Sequence, residues 1–343
     1  MPTPLQLRNA RARARLSAAV RTALSGMDYE EVETPCLVPA PGMEPHIDAF
    51  DTAFRPEGGA RPGRRPLWLQ NSPEYAMKRL LADGLPRVFQ LARVFRNGEV
   101  SGTHNPEFTM LEFYRAGTDY RGVMADTEAL LAACARAFLP VGEAGVQRRG
   151  RTISLAAPFE VLTVQEAFLR HAGIDLAACE GEARALAGAA RAAGHDPGPG
   201  GEAFDDVFFR VMLDAIEPRL GVDRPTWLVD WPADMAALAR LKPGDPRWAE
   251  RFELYAGGLE LANGFSELTD AAEQRARLLE EQALRARLGR PAYPLDEAFL
   301  AALPRLPDAG GIAVGFDRLL MLLTGAESIA DVLLFPAHGF WEG

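Results

Sequence analysis

Apolar residues along this chain recur at two periods, one near four and one of two, and together they predict a single mixed domain. Residues 5–24 lack internal Gly and Pro, and Leu5, Leu16, Val20 and Leu24 form one stripe of a helix that Gly26 ends. A short strand follows from Tyr29 and stops at Thr34, because the residue before Pro35 is pushed to extended geometry. Residues 40–65 are rich in Gly, Pro and charge, which predicts a loop, a hairpin arm at 47–54 and a tip around Pro56 to Pro66. Residues 67–70 form a strand, and Ser72 with Pro73 predicts a helix start that runs to about Gly84. Two β-type runs then follow, one ending at Phe95 and one spanning Phe108 to Tyr114, joined by a polar connection from Glu99 to Pro106. Residues 120–139 are an amphipathic helix.

The stretch 140–225 breaks this pattern. It is Ala- and Gly-rich and predicts a helical insertion, with helices at 163–172 and 204–217. Beyond it come a buried strand at 225–232 and a strand pair at 251–268 turned at Gly257-Gly258. A charged helix at 269–288 leads to a buried strand at 310–315 that runs into an apolar helix.

The polar residues on these buried elements need partners. Arg96, Glu99, His104, Asn105, Glu107, Glu112 and Arg115 all sit on the hairpin, where each unpaired group costs several kcal/mol. They form either a structural network or the face of a charged ligand. Glu260 and Glu267 could hold a divalent cation. Seven apart, however, they share a strand face only if a bend or bulge at Asn263-Gly264 intervenes. Arg318 lies in the first turn of its helix, where the dipole opposes a cation. A phosphate would be stabilised by both that arginine and the helix terminus. The same chemistry suits Arg96, so the pattern suggests a polyphosphate site, without the GxxxxGK[ST] loop.

Composition narrows the class. The 343 residues are 48% hydrophobic and carry a net charge of −10, which argues against a broad nucleic-acid footprint. Three scattered cysteines suggest a reducing compartment, and no apolar run reaches bilayer length, so a soluble cytoplasmic protein is expected. The histidines lack zinc-ligand spacing.

Three segments together resemble the signature motifs of the class II aminoacyl-tRNA synthetases. The first helix with Glu31-Val32-Glu33-Thr34-Pro35 is similar to the dimer-forming first motif. The hairpin, with His104-Asn105-Pro106-Glu107-Phe108-Thr109-Met110-Leu111-Glu112, resembles the second motif in its lysyl branch. Gly311-Ile312-Ala313-Val314-Gly315-Phe316-Asp317-Arg318 resembles the third. The nearest likeness is to truncated lysyl synthetase paralogues that attach lysine or (R)-β-lysine to a lysine of translation elongation factor P. Those paralogues lack the anticodon-binding domain, and the early position of the first motif fits them.

The resemblance implies an α+β fold: a mainly antiparallel sheet flanked by helices, in one catalytic domain spanning 1–343. It implies ATP and Mg²⁺ as cofactors, a homodimer, elongation factor P as acceptor in preference to tRNA, and no membrane. Arg96 and Arg318 would bind ATP phosphates and stabilise charge during adenylation. Asn97, Gly98, Asn105, Glu260, Leu261 and Gly315 would line the nucleotide site. Ser72, Pro73, Glu74, Tyr114 and Glu267 would contact the amino acid, and Glu260 and Glu267 would hold the metal. Two departures stand out. The second motif commonly reads Arg-x-Glu, whereas here Glu99 comes one position late, after Gly98. Lysyl synthetases tend to have Gly where Ala313 stands, a methyl group worth roughly 1–3 kcal/mol of discrimination. An enzyme acylating tRNA or a small molecule, or a non-catalytic synthetase-like regulator, are the competing readings.

Overall fold

A computed structural model describes residues 1–54, 57, 65–139, 143, 145–200 and 203–337. The loop tip expected around Pro56 to Pro66 lies largely outside them. Eight strands form the central sheet: β1 (Glu30–Glu31), β2 (Arg87–Phe95), β3 (Glu107–Ala116), β4 (Glu160–Thr163), β5 (Thr226–Pro232), β6 (Trp248–Ala256), β7 (Leu259–Ser266) and β8 (Ala309–Gly315). Their spatial order is β1-β2-β3-β8-β7-β6-β5-β4. Only the two edge pairs are parallel, β1 with β2 and β4 with β5. The α+β architecture therefore matches the expectation.

Period-two alternation gives the sheet two chemically different faces. Phe113, Ile312 and Phe252 point to one side, as do Leu111, Val314 and Leu254, and all six belong to the main core. That side is covered by α1 (Pro4–Ser25) and α2 (Tyr120–Phe138), together with α3 (Phe316–Thr324). Ala12, Leu16, Val20 and Leu24 carry the buried stripe of α1, whereas Leu5 is exposed. The first two turns of α1 reach past the core, and Gln6 and Asn9 there bind the carbonyls of Ala330 and Asp331 instead.

The helix after Ser72 begins one residue later than expected, at Glu74–Ala82, with Pro73 at the cap position. Ser72 still contributes, since its Oγ accepts the Glu74 N–H at 3.0 Å. The predicted insertion proves less helical than expected. A hairpin of Gly145–Arg148 and Arg151–Ser154 opens it, and Glu160–Thr163 then joins the main sheet as its edge. Helical turns begin at Val164, where Thr163 caps the first of them in a reciprocal capping box with Glu166. They bury a separate cluster that includes Phe168, Phe208 and Trp231.

Candidate active site

The other face of the sheet carries polar residues in register. Glu112, Ala313, Asn263 and Glu253 are consecutive partners across β3, β8, β7 and β6. Two residues along, Tyr114, Gly311, Phe265 and Arg251 form a second row. Both rows line one cavity of about 370 Å³. Glu260 reaches the same face through a bulge. Leu254 pairs with Ala262 and Tyr255 with Glu260, so Leu261 is the extra residue. The irregularity needed for Glu260 and Glu267 to share a face thus exists, but at Leu261 and not at Asn263-Gly264.

One end of the cavity is cationic. Arg96 follows the last residue of β2, and its backbone N–H donates to the Pro106 carbonyl at 2.9 Å. Its guanidinium lies over Phe108 and 3.7 Å from Glu99, while its buried Nε has no acceptor. Arg318, in the first turn of α3, donates to the Glu260 carbonyl at 2.9 Å and to the Glu260 carboxylate at 3.3 Å. It also contacts His104 Nε2 at 2.6 Å. Burial, then Arg318 and Arg96, lower the pKa of His104 to about 4. The neutral ring therefore accepts at Nε2 and carries its proton on Nδ1, 2.8 Å from Ser101 Oγ. A buried guanidinium nitrogen without an acceptor, beside a second arginine braced from two sides, is an arrangement suited to phosphate oxygens.

Beside it, Glu253 accepts from Arg251 at 2.7 Å and from the Tyr255 hydroxyl at 2.5 Å. Burial raises its pKa to about 7 against the pull of Arg251, and the charge of Glu260 adds to the rise. Glu253 and Glu260 are therefore the neighbouring carboxylates of this end. Glu267 is not their partner: seven residues of extended chain span roughly 23 Å, and Glu267 is buried against Lys78, off the cavity wall that Glu260 lines. Among the described residues no three His, Cys, Asp or Glu side chains gather as a metal cluster. The chemistry of two carboxylates beside the two arginines still fits magnesium, which takes one or two protein carboxylates and completes its shell with phosphate and water.

The other end is acidic. Glu112 is fully buried; it accepts from Ser72 Oγ at 2.6 Å and from the Tyr114 hydroxyl at 2.8 Å. Lys78 pairs with Glu74 at 2.5 Å and with Glu267, yet neither Glu267 oxygen accepts a well-directed hydrogen bond. Burial acts against the charge of Lys78, but Glu267 and then Glu74 outweigh it and keep its pKa raised. Burial, then Glu74, pushes Glu112 up to about 8. Glu267 also rises to about 8, through burial and the charges of Glu74 and Glu112, against the pull of Lys78. Three carboxylates thus share one cation. Gly311 keeps this end open, because a Cβ there would collide with the Tyr114 ring and Glu267 Oε1.

The residues expected at the site divide accordingly. Ser72, Glu74, Arg96, Asn105, Tyr114, Glu260, Leu261, Gly315 and Arg318 line the cavity. The Asn105 amide is already engaged, by the Glu107 carbonyl at 2.5 Å and the Ala337 N–H at 2.8 Å. Pro73 is buried in the helix cap and off the wall. Asn97 and Gly98 are exposed, because the Asn97 N–H is bound to the Asp48 carbonyl at 2.7 Å and turns this segment away. Glu99 takes their place on the wall. Lys78, Glu253 and Asn263 were not expected. Lys78 was legible in principle, four residues after Glu74 on one helix.

The family of class II tRNA synthetases (D, K and N) matches residues 3–339. The chain is 41% identical over 325 residues to a Klebsiella pneumoniae protein named elongation factor P–(R)-beta-lysine ligase, covering 94% of this chain and 93% of that one. A Salmonella typhi protein of the same name is similar to the same extent.

Proposed function

Because this chain belongs to the class II tRNA synthetase family, we propose that it adenylates lysine or (R)-β-lysine with ATP and transfers the acyl group to a lysine side chain of elongation factor P. The observation that carries this reading is the cavity's division into two ends. Arg96, Arg318 and His104 face one end, and Glu74 and Glu112 face the other, with the buried Lys78–Glu267 pair directly behind Glu74. Such a cavity is complementary to a molecule with two ammonium groups, whose carboxylate is then aimed at a phosphate.

No nucleophile is required from the protein. Glu112 and Glu74 anchor the ammonium groups, so the substrate carboxylate approaches the α-phosphate in one orientation. Arg96 and Arg318 stabilise the charge that develops there. Glu253 and Glu260 are the residues that would hold Mg²⁺, and the ion would neutralise phosphate charge. Gly311 and Ala313 are successive cavity-facing positions on β8; Gly311 leaves the acidic end open, and the Ala313 methyl narrows the space beside it. A homodimer belongs to this reading. Ala10 and Arg13 of α1, with Phe50, Leu69, Phe95 and Phe335, line a largely apolar groove of about 620 Å³ that suits a second copy. Among the described residues no helix is long and apolar enough to cross a membrane, and a translation factor as acceptor places the reaction in the cytoplasm.

Mass spectrometry of elongation factor P after incubation with the protein, Mg·ATP and each lysine isomer tests the proposal. A mass increase equal to one acyl residue on a lysine is expected. Acylated tRNA with unmodified factor would favour the tRNA reading, and no pyrophosphate exchange with any isomer would remove the enzyme reading altogether.

The acidic end also fixes a pH dependence. Glu112, raised to about 8 by burial and the charge of Glu74, holds a proton at pH 7 in the free protein and gives it up when an ammonium group arrives. Affinity for the diamino acid is therefore expected to rise from pH 6 to pH 8, by up to about tenfold per unit for each proton released. Calorimetry in buffers of different ionisation enthalpy should show net proton release at pH 7. Zero release would contradict the assignment.

A further inference from the structure

Helix α3 begins without a side-chain cap: Gly315 stands at the cap position and makes no such bond. The first turn of a helix has free N–H groups and frays unless something ties it. Here the tie is Asp317, which is 2% exposed. Its Oδ2 accepts the Thr109 N–H of β3 at 2.7 Å, and its Oδ1 accepts from Arg13 of α1. Arg13 also lies over the Phe316 ring, 5.3 Å from its centroid, and approaches Thr109 Oγ1 and the Val332 carbonyl at 3.4 Å each. One guanidinium thus joins the first helix, the hairpin, the C-terminal segment and the start of α3.

We propose that Arg13 is a positioning residue for the phosphate end of the site, acting through Asp317 on Arg318. It touches neither Arg96 nor Arg318 and meets the cavity wall only from behind, through Asp317, so its action is indirect, in two ways. It fixes the turn from which Arg318 projects, and it neutralises a buried carboxylate that would otherwise repel phosphate from the adjoining position. Burial, then Arg93, lowers the pKa of Arg13 to about 10, which leaves it charged at neutral pH. The inference rests on the reading of Arg318 as a phosphate ligand.

The experiment compares the full-length protein with Arg13→Met, Arg13→Lys and Arg318→Ala variants and the Arg13→Met/Arg318→Ala double variant. Mg·ATP affinity and diamino-acid affinity are measured by calorimetry, and pyrophosphate exchange by assay. Arg13→Met is expected to weaken Mg·ATP binding and lower exchange by about tenfold each, while diamino-acid affinity changes less than twofold. Arg13→Lys should recover part of the loss, and Arg13→Met should cost nothing further once Arg318 is absent. A merely structural role would lower both affinities together, or repeat the loss in the Arg318→Ala background, and either result overturns the inference. So does Mg·ATP affinity within twofold of the unsubstituted protein. If the unsubstituted protein binds Mg·ATP without exchanging pyrophosphate, the failure lies in the proposed reaction, and Arg13 is judged on ATP affinity alone.

Discussion

Replacing Arg318 with alanine is expected to lower kcat/KM for ATP in pyrophosphate exchange by two to three orders of magnitude. Arg318 projects between Glu260 and His104, and its contacts to both hold the guanidinium before any substrate arrives. Removing one preorganised donor from a site of developing charge costs about 2.7–4 kcal/mol of transition-state stabilisation. Lysine should not restore the function, because one ammonium cannot reproduce a fork that meets a carbonyl, a carboxylate and a ring nitrogen together. The diamino-acid affinity, set at the far end of the cavity, should move by less than about threefold. A second signal distinguishes this from general damage. With Arg318 gone, the pKa of His104 should rise from its lowered value, visible in the imidazole NMR titration. A loss of exchange below tenfold, or an unmoved His104, would remove Arg318 from the role given to it.

The second large effect belongs to Glu112. Glu112→Gln keeps the shape but removes the charge, and its amide nitrogen must face one of two donors, Ser72 Oγ or the Tyr114 hydroxyl. A buried ammonium that loses its carboxylate partner costs about 3–5 kcal/mol. KM for the diamino acid should therefore rise by at least two orders of magnitude, with KM for ATP nearly unchanged. Discrimination against an analogue lacking the side-chain ammonium should collapse in the same variant, because the charge that rejected it is gone. Steady-state kinetics with both ligands decides the matter. An equal rise in both KM values would mean that Glu112 supports the fold and not the substrate.

Much of the architecture was legible from spacing alone. The α1 stripe, the β2–β3 hairpin and the Gly257-Gly258 turn follow from local patterns, and the φ angles of that turn, +62° and +73°, are those its glycines permit. The first part of the insertion was not legible, since strands of four residues carry too little alternation to stand out from a Gly-rich background. On the cavity wall, the positions of Arg96 and Arg318 were legible because their charge opposes their surroundings. Those whose role depends on a partner strand or helix were not. Glu253 gains its meaning only from the register with β7, and Lys78 looks like a surface lysine until Glu267 is placed beside it. Asn97 and Gly98 went astray for the same reason, since the pull of Asp48 is not local.

The bulge at Leu261 sets the phase of one strand relative to itself. From Ala262 onward β7 keeps the parity that places Asn263 and Phe265 in the cavity, and before Leu261 that parity is inverted so that Glu260 joins them. Substituting Leu261 by another apolar residue leaves this intact, and a scan of point mutations would pass it by. A ladder in which Leu261 itself paired with Tyr255 would turn the Glu260 carboxylate into the hydrophobic core, away from Arg318, so the bulge that leaves Leu261 unpaired is what keeps Glu260 in the cavity. What this position contributes to chemistry is a count of residues and not a side chain.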